Sequence, residues 1–237
     1  MILEHFTMKD SFGRNIDYMR ISITDRCNLR CKYCMPDGVE SLARWEILSL
    51  EEIEAIAICA AGLGISRIKV TGGEPLVRRD CCQLVKLLKS IPGIEKVTIT
   101  TNGVLLDRYL EPLLEAGIDG INISLDTLDP CMYEKITGFD RLACVMKTIE
   151  RSPGLPVRVK INAVSIDFSS MDGEGCSGPG GSWWKELVEL TGRYPVDVRF
   201  IEMMPIGYGK QFKTINHKEL LEEMHREYPG LAKDHTE

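Results

Sequence analysis

The sequence predicts an α/β fold in which parallel strands alternate with helices. Short β-branched segments recur along the chain, segments of helical periodicity lie between them, and glycines or capping residues separate the two kinds. Successive βα units of this kind form a parallel sheet with right-handed crossovers. Periodicity alone leaves an open doubly wound sheet and a full or partial barrel as alternatives. In each of them, ligands bind at the carboxyl ends of the strands.

Six strands are predicted because each segment is short and rich in apolar and β-branched residues. They are residues 18–24, 67–71, 96–101, 120–125, 157–164 and 196–202. The first helix is predicted over 49–62, because Ser49-Leu-Glu-Glu52 is a capping box. The later helices are predicted over 80–90, 107–116, 131–151 with a break near Gly138, 182–191 and 217–228. Residues 167–182 are rich in Gly and Ser and predict a mobile surface loop.

Composition places the chain among soluble globular proteins. Of 237 residues, 44% are hydrophobic and 27% charged, which excludes disordered, collagen-like and membrane proteins. The longest uncharged helical run, residues 55–66, is too short to span a bilayer, and we expect no signal peptide. The net charge of −6 lacks the basic footprint of a nucleic-acid-binding protein. We therefore expect a cytoplasmic protein with neither nucleic acid nor membrane as a partner.

Three of the nine cysteines form the strongest chemical signal. Cys27, Cys31 and Cys34 follow the first strand with the spacing Cys-x3-Cys-x2-Cys, so one loop can hold a metal centre. A [4Fe–4S] cluster usually has four thiolate ligands, and three would leave one iron open, as catalytic sites require. The alternatives are a structural zinc, for which no histidine lies near in sequence, and coincidental buried thiols. The other cysteines lack cluster spacing, no disulfide framework is expected, and we interpret them as small buried hydrophobes.

The cysteine run, with the aromatic Tyr33 directly before Cys34, resembles the signature of the radical S-adenosylmethionine (SAM) superfamily. The resemblance implies a parallel (βα)6 partial TIM barrel and a [4Fe–4S] cluster held by Cys27, Cys31 and Cys34 as metal ligands and catalytic groups. It also implies that SAM binds the open iron. Electron transfer then cleaves SAM to methionine and a 5′-deoxyadenosyl radical, which abstracts a hydrogen atom from the substrate.

The same resemblance implies four contacts to SAM. Gly73, in Thr71-Gly-Gly-Glu-Pro75, matches the segment that binds the methionyl amino group, although paired glycines also suit a tight turn. Ser124 ends the fourth strand, where it is a SAM contact or a cap for the next element. Tyr33 contributes its backbone on the adenine side. Met204 follows the sixth strand, where it belongs to the adenine pocket by resemblance or to the core by residue type.

A closer resemblance is to the GTP 3′,8-cyclases of molybdenum cofactor biosynthesis. The segments that carry it are 10–36, 71–80, 100–103, 120–127, 159–164 and 199–207. It implies that the radical takes the ribose 3′-hydrogen of GTP and that C3′ then bonds to guanine C8. The matching GTP contacts are Arg20, Lys69, Thr100 and Lys160, and Arg199 is a further candidate. Lysines inside apolar strands need a partner for their charge, such as phosphate, unless they lie at an edge or extend their stems to solvent.

The sequence departs from that family at its C-terminal end. Members carry three more cysteines in a C-terminal extension, which hold a second [4Fe–4S] cluster, whereas no cysteine follows Cys176 here. We therefore expect residues 12–206 to form the radical SAM core and residues 207–237 to begin an incomplete extension. A second cluster is not supported, and we expect cyclase activity to be weak or absent.

The cluster chemistry implies a flavodoxin or ferredoxin-type electron donor, and the resemblance implies the downstream cyclic pyranopterin monophosphate synthase as a partner. A homodimer is a further expectation. Two other functions remain open from the residues alone. One is a radical SAM enzyme for another substrate, such as a peptide or a tetrapyrrole precursor, and the other is a non-enzymatic iron- or zinc-binding protein.

Overall fold

The computed structural model describes residues 8–40, 42–167 and 183–233. Its centre is one six-stranded parallel sheet in which the strands are adjacent in chain order. The strands are β1 (Tyr18–Ser22), β2 (Arg67–Thr71), β3 (Lys96–Thr101), β4 (Gly120–Ser124), β5 (Arg158–Ser165) and β6 (Val196–Glu202). No pairing joins β1 to β6 in the described part of the chain, so the sheet is an open, partial barrel.

Helices connect the strands and cover the outer face of the sheet. They are α1 (Leu50–Gly62), α2 (Cys81–Ser90), α3 (Leu106–Glu115), α4 (Pro130–Thr137), α5 (Leu142–Arg151), α6 (Trp183–Arg193) and α7 (His217–Glu227). Alternate strand residues, such as Ile68, Val70 and Ile99, are buried in one apolar core with these helices. Because side chains of a strand alternate between its two faces, the intervening polar residues lie on the inner face. That face carries the candidate site.

The structure confirms the predicted order of strands and helices, with boundaries that differ by one or two residues. Ser49 caps α1, since its hydroxyl accepts a hydrogen bond from the Glu52 amide while the Glu52 carboxylate accepts one from the Ser49 amide. The predicted break near Gly138 is real. Gly138 has a φ of 80° and ends α4, because this left-handed conformation suits glycine.

The predictions for the Gly/Ser-rich segment and for the cysteines outside the cysteine loop have different outcomes. The Gly/Ser-rich segment and Cys176 fall within residues 168–182, which lie outside the described residues. The described cysteines, apart from Cys131, carry free thiols, but Cys59 is exposed, so the interpretation as a buried hydrophobe is wrong for it. Cys131 is disulfide-bonded, although no disulfide framework was expected. Within the described ranges, no helix has the length and apolar character needed to cross a membrane.

Candidate active site

A cavity of about 430 Å³ lies at the carboxyl ends of the strands, where the α/β topology predicts a ligand. Nine of the predicted site residues line it. They are Arg20, Cys27, Cys31, Tyr33, Cys34, Lys69, Gly73, Thr100 and Ser124. The exceptions are Lys160, Met204 and the further candidate Arg199. The cysteine loop therefore faces the same space as the polar inner face of the sheet.

The backbone after β2 holds the start of the cysteine loop in place. The Gly73 amide donates a 2.7 Å hydrogen bond to the Thr24 carbonyl, and the Glu74 amide donates one of 2.7 Å to the Arg26 carbonyl. A Cβ atom on Gly73 would lie 2.3 Å from the Arg26 carbonyl oxygen. Only glycine allows these two backbones to approach so closely. The Gly-Gly pair therefore forms a contact between segments rather than only a turn.

A second set of contacts fixes the middle of the cysteine loop. The Arg30 amide donates to the Thr137 carbonyl at 2.8 Å, and the Lys32 amide donates to the Ile136 carbonyl at 2.9 Å. The Arg30 guanidinium also donates to the carbonyl of Cys27 at 2.8 Å. The loop is thus attached to the end of α4 on one side and to the β2 terminus on the other.

The three thiols of the loop have the chemistry that a positively charged metal group requires. Burial is the main cause that raises the pKa of each of Cys27, Cys31 and Cys34, and for Cys31 the other two cysteines raise it further. Such groups favour a positively charged partner that stabilises the thiolate form. In residues 8–40, 42–167 and 183–233, no three His, Cys, Asp or Glu side chains converge on one metal ion. A [4Fe–4S] cluster needs no such convergence, because its thiolates bind different irons.

Glu74 connects the ends of β2 and β3 and is almost fully buried. Its Oε1 accepts hydrogen bonds from the Leu76 amide at 3.0 Å and the Thr101 hydroxyl at 2.7 Å. Its Oε2 accepts from the Asn102 amide at 2.7 Å. Burial raises the pKa of Glu74, and these hydrogen bonds oppose the rise. The carboxylate therefore satisfies buried donors that no other side chain reaches within the described residues.

Tyr33 and Asp126 join the cysteine loop to the end of β4. The Tyr33 hydroxyl donates to Asp126 Oδ2 at 2.6 Å, and the Val164 amide donates to Oδ1 at 2.8 Å. Burial raises the pKa of Asp126 to about 6, although both hydrogen bonds lower it. Asp126 thus spans the cysteine loop, β4 and β5 with one buried carboxyl group.

Positive side chains gather on the inner face of the sheet. Strand register places Arg20 beside Lys69, and Asn162 beside Arg199. Burial is the main cause that lowers the pKa of Lys69, and neighbouring positive charges lower it further. Those charges belong to Arg20, Arg199 and Lys160. A partly buried lysine that lies among other positive charges favours a polyanionic ligand.

Lys160 and Met204 do not line the cavity. The Lys160 ammonium lies 3.7 Å from Asp197 Oδ2, and Asp197 also forms a 2.7 Å ion pair with Arg158. Met204 is 64% exposed beyond β6, so its interpretation as a core residue is wrong, whereas Met203 beside it is buried. Its expected place at the adenine pocket remains a prediction.

Three polar residues at strand ends belong to this site although they were not predicted: the Glu74 carboxylate, Asn102 and Asp126. Each lies one or two residues after a predicted site residue, in Gly-Gly-Glu, Thr-Thr-Asn-Gly and Ser-Leu-Asp. Their position at strand ends was the available signal, since these ends meet at one edge of a parallel sheet. Asn162, on β5, also lines the cavity and was not selected.

Comparisons with known proteins agree with this geometry. Residues 21–172 match the Radical SAM superfamily. The chain is 40% identical over 230 residues to a GTP 3′,8-cyclase of Clostridium perfringens, a match that spans 97% of this chain and 68% of the relative. It is 46% identical over 202 residues to the GTP 3′,8-cyclase of Alkaliphilus metalliredigens, which covers 84% of this chain and 60% of the relative.

Other proteins are similar to the chain in sequence or in fold. Molybdenum cofactor biosynthesis protein 1 of Drosophila melanogaster is 42% identical over 231 residues, which is 94% of this chain and 38% of that protein. Streptococcus suis SuiB bound to S-adenosylmethionine superposes with a TM-score of 0.70 at 23% identity, over 90% of this chain and 47% of SuiB. This likeness concerns the fold alone. The chain spans about two thirds of the length of several curated relatives that it matches.

Proposed function

Because this chain belongs to the radical SAM superfamily and, within it, to the GTP 3′,8-cyclase family, we propose that it catalyses the first step of molybdenum cofactor biosynthesis. In that reaction a [4Fe–4S] cluster, when bound, supplies the electron that cleaves SAM, and the resulting 5′-deoxyadenosyl radical starts the joining of C3′ to C8 of GTP. One observation supports the proposal most strongly. The cysteine loop and two positive side chains of the inner face, Arg20 and Lys69, line the same cavity.

The residues at the cavity form two groups, one for the cluster and SAM and one for GTP. Cys27, Cys31 and Cys34 would hold the cluster, since they are free thiols on one loop at the cavity wall. SAM would lie beside Gly73, which lines the cavity, and beside Ser124 at the end of β4. Tyr33 and Met204 complete the proposed SAM contacts.

GTP would occupy the part of the cavity that faces β1, β2 and β5. Arg20, Lys69 and Lys160 supply positive charge for the triphosphate, and Thr100 offers a hydroxyl at the end of β3. Phosphate oxygens accept strong charge-assisted hydrogen bonds from such groups. Lys160 would exchange its 3.7 Å contact with Asp197 for a phosphate contact. Arg199, next to Asn162 on the neighbouring strand, is a further candidate for the same role.

The remaining parts of the proposal concern partners and domains. Electron transfer requires a low-potential donor such as a flavodoxin or ferredoxin, and the product would pass to cyclic pyranopterin monophosphate synthase. We further propose that residues 12–206 form the catalytic core, that residues 207–237 begin a C-terminal extension, and that the chain forms a homodimer. Each of these statements is a proposal that is open to direct measurement.

The proposal is tested by 5′-deoxyadenosine formation. The chain is loaded anaerobically with iron and sulfide and mixed with SAM and a strong reductant, with or without GTP. We expect GTP, unlike ATP, to increase the formation of 5′-deoxyadenosine, with at most a low yield of the cyclised nucleotide. A rate that is equal with and without GTP would leave the radical SAM chemistry intact but contradict GTP as the substrate. The Cys31→Ala variant is the negative control, and it should form no 5′-deoxyadenosine.

A further inference from the structure

We propose that Asn102 is a positioning residue for the iron–sulfur cluster, because it donates a hydrogen bond to the Cys27 sulfur and connects that sulfur to the segment after β2. The inference requires the radical SAM chemistry of the chain and not GTP as its substrate. Its test can therefore fail while the GTP assignment stands, and the reverse also holds.

The side-chain amide of Asn102 has hydrogen-bond partners at both its nitrogen and its oxygen, and these partners fix its orientation. Its Nδ2 donates to Asn28 Oδ1 at 2.8 Å and to Cys27 Sγ at 3.8 Å. Its Oδ1 accepts from the Val104 amide at 3.1 Å. A flipped amide would bring its NH2 group against the Val104 N–H and its oxygen against Asn28 Oδ1. Both contacts would be repulsive, so the geometry fixes the donor towards the cysteine.

Cys27 differs from the other two cysteines of the loop in its hydrogen bonds. Its sulfur accepts from the Leu29 amide at 3.4 Å and from Asn102. Among the described residues, neither Cys31 nor Cys34 receives a hydrogen bond from a side chain of another segment. Hydrogen bonds to ligand sulfurs and other outer-shell contacts set the potential of a metal site and the orientation of its ligands. Asn102 can therefore affect the potential of the cluster and the orientation of Cys27, which would be one of its ligands.

The position of Asn102 is itself fixed by Glu74. The buried Glu74 carboxylate accepts the Asn102 backbone amide at 2.7 Å, while the Glu74 backbone amide donates to the Arg26 carbonyl, one residue before Cys27. The segment after β2, the end of β3 and the first cysteine thus form a closed chain of hydrogen bonds. Gly73 lies in the same segment and lines the same cavity. A change at Asn102 should therefore alter the cluster rather than the general fold.

The direction of the effect follows from charge. One-electron reduction adds negative charge to the cluster and its thiolates, so an N–H donor stabilises the reduced state more than the oxidised state. Loss of the donor should shift the midpoint potential to more negative values and slow reduction of the cluster. A residue with only a structural role, such as support of the Val104 turn, would change stability without this shift.

The test compares Asn102→Asp and Asn102→Leu with Asn28→Asp. Asn102→Asp keeps the acceptor for the Val104 amide but loses the donor, and Asn102→Leu loses the donor without adding charge. Asn28→Asp adds the same charge at the partner atom 2.8 Å away but leaves the donor in place. The chains are loaded with iron and sulfide, and the midpoint potential and the electron paramagnetic resonance spectrum of the reduced cluster are measured. Asn102→Gln, which keeps an amide donor, tests rescue.

We expect both Asn102 variants to have a more negative potential and an altered spectrum, Asn28→Asp to shift less than Asn102→Asp, and Asn102→Gln to recover part of the loss. Failure of both Asn102 variants to load iron, with normal loading of Asn28→Asp and an unchanged circular dichroism spectrum, also supports the proposal. Equal potentials for Asn102→Leu and the unaltered chain would overturn it. Equal effects of Asn102→Asp and Asn28→Asp, including loss of loading in both, would overturn it as well.

Discussion

The Tyr33 hydroxyl and the Asp126 carboxylate form a 2.6 Å hydrogen bond between segments that are 93 residues apart in sequence. The bond brings the aromatic residue of the cysteine loop to the end of β4. The second oxygen of Asp126 accepts the Val164 amide on β5. The cysteine loop is therefore held across two strands by a carboxyl group that the protein buries at an energetic cost.

That cost predicts a pH dependence of stability. The pKa of Asp126 rises from 3.8 to about 6 on folding, because burial disfavours its charged form. The protonated carboxyl stabilises the folded state below about pH 4, and this contribution is lost as the pH rises through 6. Relative to the Asp126→Asn variant, the unaltered chain should lose about 3 kcal/mol of unfolding free energy between pH 4 and pH 7.

The measurement is chemical denaturation of the cluster-free protein under reducing conditions at several pH values. Asp140→Asn is the control, because Asp140 is exposed and its substitution should leave the pH dependence unchanged. Parallel curves of unfolding free energy against pH for Asp126→Asn and the unaltered chain would contradict the predicted coupling.

Glu74→Gln should destabilise the fold by about 1–3 kcal/mol, because a buried donor is left without an acceptor. Both Glu74 oxygens accept backbone amides, those of Leu76 and Asn102, so a glutamine NH2 group must face one of them. Urea denaturation measures the loss. The control is Glu95→Gln at an exposed position, which we expect to be neutral. A stability equal to that of the control would show that the carboxylate is not required.

Gly73→Ala should displace the start of the cysteine loop. The new Cβ would lie 2.3 Å from the Arg26 carbonyl oxygen, so one of the two backbones must move at a cost of about 1–3 kcal/mol. We expect SAM binding to weaken by roughly tenfold, since about 1.4 kcal/mol corresponds to a factor of ten. Equilibrium dialysis with labelled SAM gives the affinity. Gly192→Ala in α6, where a Cβ meets no atom within 4 Å, should bind SAM normally.

Lys69→Gln should raise the KM for GTP by roughly 10- to 100-fold, because a charge-assisted hydrogen bond contributes about 1.5–3 kcal/mol. The GTP-independent formation of 5′-deoxyadenosine should change little, since Lys69 lies on β2 rather than on the cysteine loop. Steady-state assays with and without GTP separate the two effects. Lys86→Gln removes the same charge from an exposed position on α2 and should leave both rates unchanged. A KM for GTP equal to that of Lys86→Gln would show that Lys69 does not contact the substrate.

The strand and helix order was predictable because each element carries its own local signal. The capping box at Ser49 and the glycine at 138 are examples, since both act within a few residues of their position. The meeting of the cysteine loop with the Gly-Gly segment was predictable only through the family resemblance. Chain order alone does not show that the Gly73 amide bonds to the Thr24 carbonyl.

The parts that escaped prediction depend on contacts between distant segments. The residues around Asn102 do not identify it as a site residue. Its side-chain amide can donate to Cys27, 75 residues away in sequence, only because β3 brings the two residues together. Asp126 follows an apolar strand like any cap residue, and its burial comes from Tyr33 and β5. For Met204, local sequence was misleading. Its residue type suggested a place in the core, but its position past the last strand leaves it 64% exposed.

The sequential strand order also governs how the protein can assemble during synthesis. Each strand pairs only with strands that precede or follow it directly in the chain, so no pairing has to wait for a distant segment. Domains fold from the N-terminus as the ribosome extends the chain, and local pairings form fastest. The start of the cysteine loop can therefore dock once β2 has emerged, whereas Lys160 and Arg199 arrive only with β5 and β6. The active site thus leaves the ribosome in two stages, with the thiols and Lys69 before Lys160 and Arg199.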